Sequence, residues 1–187
     1  MKHFLFSIIC LFLLGSCQTP ADTAQTKVYF DLKGFIEQQI IELNKRKPLV
    51  TKEMAIGEGK DKTETTNIDW KKELELFIQA DLNKQAFQLS YDISQPTPNA
   101  YLYSLKRGEK LPVKSLKIVI DETSKQPSLI EAVLQEENKL YDSEKRLLLT
   151  CTMRPEGVWL LKTYKINGFQ QLTLADKKAF SVTGTIK

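Results

Sequence analysis

Leu147-Leu148-Leu149-Thr150-Cys151-Thr152-Met153, then Arg154-Pro155-Glu156-Gly157, then Val158-Trp159-Leu160-Leu161-Lys162-Thr163-Tyr164-Lys165-Ile166-Asn167-Gly168 decide the fold class. The first run has period two, so Leu147, Leu149, Cys151 and Met153 share one face of a strand. Pro at the second place and Gly at the fourth give Arg154 to Gly157 the chemistry of a type I turn. Val158 to Ile166 is then the antiparallel neighbour, and Asn167-Gly168 predicts a second hairpin into Phe169 to Leu174. A sheet built by local reversals follows.

Outward from this centre the pattern continues. Phe180, Val182, Gly184 and Ile186 alternate with Ser181, Thr183 and Thr185 in a last strand. Upstream, Val113 to Ile120, Tyr101 to Leu105 and Phe87 to Ile93 read as strands, separated by Arg107-Gly108-Glu109-Lys110 and by Pro96-Thr97-Pro98-Asn99. Ser128 to Leu140 is rich in helix formers, yet it follows Pro127 within this meander and is read as strand. Leu49 to Ile56 is another strand, with a hairpin over Gly57 to Lys60.

Two helices precede most of the sheet. Asp31 caps the first, whose apolar positions Leu32, Phe35, Ile36, Ile40 and Leu43 recur at three and four, before Lys45-Arg46-Lys47 and Pro48 close it. Asp69 caps the second, with Trp70, Leu74, Phe77, Ile78 and Leu82 as its stripe. The expected architecture is α+β: two N-terminal helices packed on one face of a curved antiparallel sheet of seven or eight strands, as one domain over residues 28–187. Tyr101 and Tyr103 share a strand face, and Tyr164 falls with Val158, Leu160 and Ile166. Trp159 and Leu161 are expected on the opposite face of their strand, which then needs a cover: a helix, a partner or a ligand. Trp159, Leu161, Tyr101 and Tyr103 are therefore the candidate contact or ligand-binding residues.

The N-terminus carries an address. Lys2 precedes an apolar run from Phe4 to Leu14, of signal-sequence length and short of the roughly 18 residues that cross a bilayer. Leu13-Leu14-Gly15-Ser16-Cys17 resembles the lipobox at which bacteria cleave and acylate lipoproteins. That resemblance implies a signal peptide over residues 1–16 and a lipidated Cys17 as the new N-terminus. Residues 17–27 then form the lipidated Cys with a polar tether, whose ten residues after Cys17 reach about 17 Å as a coil. Gln18, rather than Asp, after Cys17 implies an outer-membrane lipoprotein facing the periplasm. Two or three acyl chains, at about 0.8 kcal/mol per buried methylene, hold where a single chain does not.

Composition excludes more than it assigns. The one His is His3, inside the signal, so the mature chain has no imidazole for a Ser-His-Asp triad, a His-ligated metal or acid-base work near neutrality. With Cys10 removed and Cys17 alkylated, Cys151 is left as a single thiol and no internal disulfide forms. Its alternating context predicts a buried structural residue. Gly57-Glu58-Gly59-Lys60 is followed by Asp61 where a phosphate loop needs Ser or Thr, so it is a turn. Removal of Lys2 lowers the formal charge from +4 to +3, spread over Lys45-Arg46-Lys47, Lys71-Lys72, Lys106-Arg107 and Lys177-Lys178. These short clusters lie among acids and make a solvated surface with anionic headgroups as the functional option; nucleic acid is not expected. No cofactor or metal site is expected.

Asp69-Trp70-Lys71-Lys72-Glu73-Leu74, Phe77, Asp81-Leu82-Asn83-Lys84, Asn138-Lys139-Leu140-Tyr141-Asp142-Ser143 and Tyr164, Ile166, Gly168 resemble a group of uncharacterised Gram-negative envelope lipoproteins with a D-W-x-x-E-L helix and an N-x-L-Y-x-S turn. The resemblance covers most of the mature chain and implies a single lipoprotein domain without any assigned activity. Glu73 and Asp81 are expected in cap or interhelical hydrogen bonds. The expected function is non-enzymatic: an accessory or partner-binding domain for an envelope protein, held at the membrane. The alternative is a carrier or receptor for a lipid-like apolar ligand between sheet and helices. Hydrolysis by two distant carboxylates leaves no local signature and is the remaining enzymatic option.

Overall fold

The computed structural model describes residues 27–187; the signal, Cys17 and nearly all of the tether lie outside the described residues. The first helix, α1 (Leu32–Arg46), starts where its cap requires: the Asp31 carboxylate accepts the Gly34 N–H at 3.1 Å. It ends at Lys47 in the left-handed conformation, whose N–H returns to the Leu43 carbonyl, with Lys45 and Arg46 in the last turn. Leu32, Ile36, Gln39 and Leu43, at spacings of four, three and four, are its buried line.

The second helix is hinged. It forms as α2 (Trp70–Glu73) and α3 (Glu75–Gln79), with Leu74 between them at φ −101° and ψ 9°. The hinge directly follows Glu73, whose carboxylate is held by the sheet. Trp70, Leu74 and Phe77 still face the core, so the stripe survives the break. After α3 the chain makes a 3₁₀ turn over Gln85–Phe87 where a strand is expected from Phe87. The strand begins only at Tyr91, because Leu89 sits at φ +66°, a conformation costing a leucine about 1 to 2 kcal/mol.

Among the described residues nine strands, rather than seven or eight, make one antiparallel sheet: β1 (Val50–Ile56), β2 (Gly59–Thr65), β3 (Tyr91–Thr97), β4 (Ala100–Leu105), β5 (Val113–Ile120), β6 (Pro127–Glu137), β7 (Tyr141–Met153), β8 (Trp159–Leu172) and β9 (Lys178–Ile186). Their order is β2-β1-β9-β8-β7-β6-β5-β4-β3. Every neighbour but one is a sequential hairpin; β1 against β9 joins the two ends of the body. Hydrophobic patterning alone does not mark β2, since Gly59 to Thr65 contains no apolar side chain, and that charged edge discourages pairing with another chain. Pro127 to Glu137 is strand as expected: its helix formers yield to ladders with β5 and β7 on either side.

Asn167-Gly168 is not a turn. Both residues lie inside β8, Gly168 between Lys145 of β7 and Phe180 of β9, and the chain reverses further on, at Thr173 to Lys177. The left-handed glycines are instead Gly57, Gly108 and Gly157, each in a hairpin loop. Gly168 is needed for room: a Cβ there would stand 1.9 Å from the backbone oxygen of Glu144. Arg154 to Gly157 does turn as expected, with the Gly157 N–H donating to the Arg154 carbonyl at 2.9 Å.

Among the described residues the core runs from Tyr29 to Ile186. Tyr29 packs edge-on against Tyr91 and Tyr103, with centroids 5.8 and 5.7 Å apart, and seals the β3–β4 end. At the other end Tyr164 of β8 lies across Gly184 of β9, where an added Cβ would meet the ring at 2.1 Å.

Candidate functional site

The candidate residues fall around one irregularity in β8. Pairing runs Cys151 to Leu161 and then Thr150 to Thr163, so Lys162 is the extra residue of a β-bulge. The bulge reverses the alternation. Trp159 and Leu161 consequently share the face of Tyr164 and Ile166, beside Cys151, Leu149 and Leu147, instead of opposing them. Leu160 faces the other way and is buried too.

The cover over that face is α1. Gln39, itself buried, accepts the Leu161 N–H at 2.8 Å through Oε1 and donates Nε2 to the Trp159 carbonyl at 3.3 Å. A side-chain amide thus completes backbone groups around the bulge. Leu161 is fully buried beneath the helix. Trp159 is only partly buried; its indole N–H donates to the Pro127 carbonyl at 2.8 Å, which fixes the ring at the end of β8. There it lines a groove of about 330 Å³ with Phe35, Gln38, Glu42 and Lys45 of α1 and with Gln126. Phe35 already stood in the α1 stripe, whereas Gln38, Glu42 and Lys45 are members of this candidate surface that the sequence did not mark as contact residues.

The two tyrosines lie elsewhere. Tyr103 is buried against Tyr29, and burial pushes its hydroxyl pKa up. Tyr101 is exposed on β4, and three strands separate it from Trp159. The structure therefore joins Trp159 and Leu161 to α1 and leaves Tyr101 and Tyr103 outside that surface.

The interior carboxylates hold the frame. Glu73 accepts the Tyr164 hydroxyl at 2.6 Å and the Lys52 ammonium at 2.7 Å, tying α2 to β8 and β1. Asp81 accepts the Lys33 N–H at the start of α1 and the Asn83 N–H; the Asn83 amide exchanges hydrogen bonds with the backbone of Tyr29 and donates to the carbonyl of Phe30. Asp69 caps α2, and Asn138 accepts the Leu140 and Tyr141 N–H groups in the β6–β7 turn. Asp81 thus makes the interhelical, cap-side bond expected of it, whereas Glu73, expected in the same role, binds two strands of the sheet instead. Among the described residues no cluster of three or more His, Cys, Asp or Glu side chains has the geometry to hold a metal ion.

Cys151 is buried and unpaired as a thiol. Burial pushes its pKa from 9.0 up to about 12, outweighing the nearby Arg154 guanidinium, which itself donates to the carbonyls of Leu161 and Ile186. The folded protein should leave a disulfide reagent unreacted at pH 8 and react fully in guanidinium. Because the unfolded thiol loses its proton first, stability from this group is complete below pH 9.0 and is lost as pH climbs toward about 12. Tyr91 and Tyr164, both raised chiefly by burial, add to the same alkaline loss. Rapid labelling of the native thiol at pH 8 would contradict this burial.

Comparison with protein-family models, with curated proteins and with solved structures found no match for this chain. The fold is an α+β arrangement dominated by a nine-stranded antiparallel sheet.

Proposed function

We propose that this chain is a non-enzymatic envelope lipoprotein, anchored by acyl chains on Cys17 in the outer membrane and facing the periplasm, whose folded body serves as an accessory domain for a protein partner. The observation that carries the reading is Leu13-Leu14-Gly15-Ser16-Cys17, directly behind an apolar run too short to span a bilayer. The groove between Trp159 and α1 supports the partner role, since it joins an aromatic side chain to polar and charged ones at an accessible end of the sheet. The space between sheet and helices holds Tyr164, Phe77, Leu74 and Leu161, each fully buried. An apolar cargo would have to displace them, which weighs for the partner over the carrier.

Metabolic labelling with palmitate tests the anchor. The native chain should take up label and fractionate with membranes, and Cys17→Ser should lose both, appearing as uncleaved or soluble protein. A Cys17→Ser variant that is still labelled and processed normally would remove the anchor from this reading. For the partner role, native mass spectrometry of the body should show no bound lipid, and crosslinking in the native envelope should trap one protein at Trp159. A single lipid retained per chain in native mass spectrometry would instead favour the carrier.

A further inference from the structure

The strands end in two unlike rims. One rim carries the hairpin loops β1–β2, β8–β9, β6–β7 and β4–β5, side by side in that order, with the start of β3 at its far end. The loops are stitched together: the Gly57 N–H donates to the Ala179 carbonyl, the Thr173 N–H and hydroxyl donate to the Leu140 carbonyl, and the Gln135 N–H donates to the Pro112 carbonyl.

Along this rim Ile56, Leu89, Leu140, Leu172 and Leu174 stand out into solvent, at 68, 76, 75, 53 and 100 % exposure. Leu89 is held there in a left-handed backbone conformation, and Thr173 pins the turns that bear Leu140 and Leu174. Apolar side chains fixed outward in a row are not explained by the core.

Charge follows the same division. Loop residues 57–58, 106–112, 138–140 and 173–177 carry five cations (Lys106, Arg107, Lys110, Lys139, Lys177) against three acids (Glu58, Glu109, Asp176). The hairpin loops of the opposite rim, residues 98–99, 121–126 and 154–158, carry two cations against three acids, with Lys47 and Lys187 beside them at the β1–β9 end. None of the five cations is in an ion pair among the described residues; the pairs formed there engage other lysines and arginines. The described chain starts at Lys27, two residues before Tyr29, whose hydroxyl accepts the N–H of Tyr91, the first residue of β3 on this same rim. A ten-residue tether from Cys17 therefore delivers the body to the bilayer near this side.

We propose that this rim is a membrane-contact edge: Ile56, Leu89, Leu140, Leu172 and Leu174 insert among the headgroups of an anionic bilayer while Arg107, Lys110 and Lys139 take the lipid phosphates. Shallow apolar insertion combined with basic side chains is the mode by which interfacial segments hold such surfaces. The contact deepens the anchored reading by giving the body a fixed orientation, with the Trp159 groove on the rim turned away from the lipid.

The test uses the chain from Gln18 to Lys187, which follows Cys17 and carries no acyl chain, so its outcome is independent of whether Cys17 is lipidated. In co-sedimentation with vesicles of phosphatidylcholine containing about one-third phosphatidylglycerol, the body should bind, and binding should fall at least tenfold on pure phosphatidylcholine or in high salt. Leu140→Ser with Leu174→Ser, and separately Arg107→Glu, Lys110→Glu and Lys139→Glu together, should each weaken binding at least tenfold with unchanged thermal unfolding. Met153→Ser with Lys125→Glu on the opposite rim should leave it unchanged. A body that ignores anionic vesicles, or binds them regardless of these substitutions, overturns the proposal. Palmitate labelling with no vesicle binding would remove the rim alone, and vesicle binding with no labelling would remove the anchor alone.

Discussion

Gly184→Ala should destabilise the body by about 3 kcal/mol, the upper end of the range for forcing an extra methyl into a packed core, read as a lowered urea midpoint. The new Cβ would sit 2.1 Å from the Tyr164 ring, far inside contact distance. Tyr164 is fully buried, and its hydroxyl is committed to Glu73 at 2.6 Å, so it has no free space to swing into. A specific background separates this steric cause from the general propensity cost of changing a glycine. In Tyr164→Ala, which is itself destabilised, the added Gly184→Ala should cost less than about 1 kcal/mol because the ring is gone. Equal costs in both backgrounds would show that the ring does not rest on this glycine. Gly184 looks like an ordinary member of an alternating strand, and nothing adjacent to it foretells that a ring from β8 crosses its Cα.

That case marks the boundary of what local pattern conveys. The helix α1 was legible to its caps because Asp31, the apolar spacing and Lys45-Arg46-Lys47 before Pro48 all act within a few residues. β5 was legible to its ends as well, with Leu116, Ile118 and Ile120 at period two. Asn167-Gly168 misled because the same dipeptide satisfies two demands. A tight turn wants its tolerance of positive φ, whereas here the neighbouring strand comes so close that only a hydrogen fits. The bulge at Lys162 was not legible: one inserted residue leaves Val158 to Ile166 looking like an unbroken strand while it turns Trp159 and Leu161 to the helix side. Of the candidate contact surface, Trp159 was visible by its size and position. Its partners on α1 were not, since Gln38, Glu42 and Lys45 read as solvated positions until the helix is laid against β8.

Glu73→Ala should cost about 3 kcal/mol, because it leaves a buried hydroxyl and a largely buried ammonium facing each other without the carboxylate between them. Glu73 and Lys52 side chains are 15 and 24 % exposed, shielded enough that water does not replace the lost partner. The graded variants should separate the two bonds. Tyr164→Phe removes a single hydrogen bond and should cost about 1 kcal/mol. Glu73→Gln keeps an acceptor for the hydroxyl but breaks the ion pair, and should fall between the two. In a double-mutant cycle, Glu73→Ala with Tyr164→Phe should cost at least about 0.5 kcal/mol less than the separate losses, the signature of residues that share one interaction. Additive losses, or a Glu73→Ala protein that unfolds at the wild-type urea concentration, would show that α2 is held to the sheet by its apolar stripe alone. The same variants bear on the candidate contact surface. α1 meets the sheet chiefly at β8 and otherwise leans on α2 and α3, so loosening Glu73 should also loosen α1 over Trp159 and raise amide exchange at Leu161, whose N–H is bonded to Gln39.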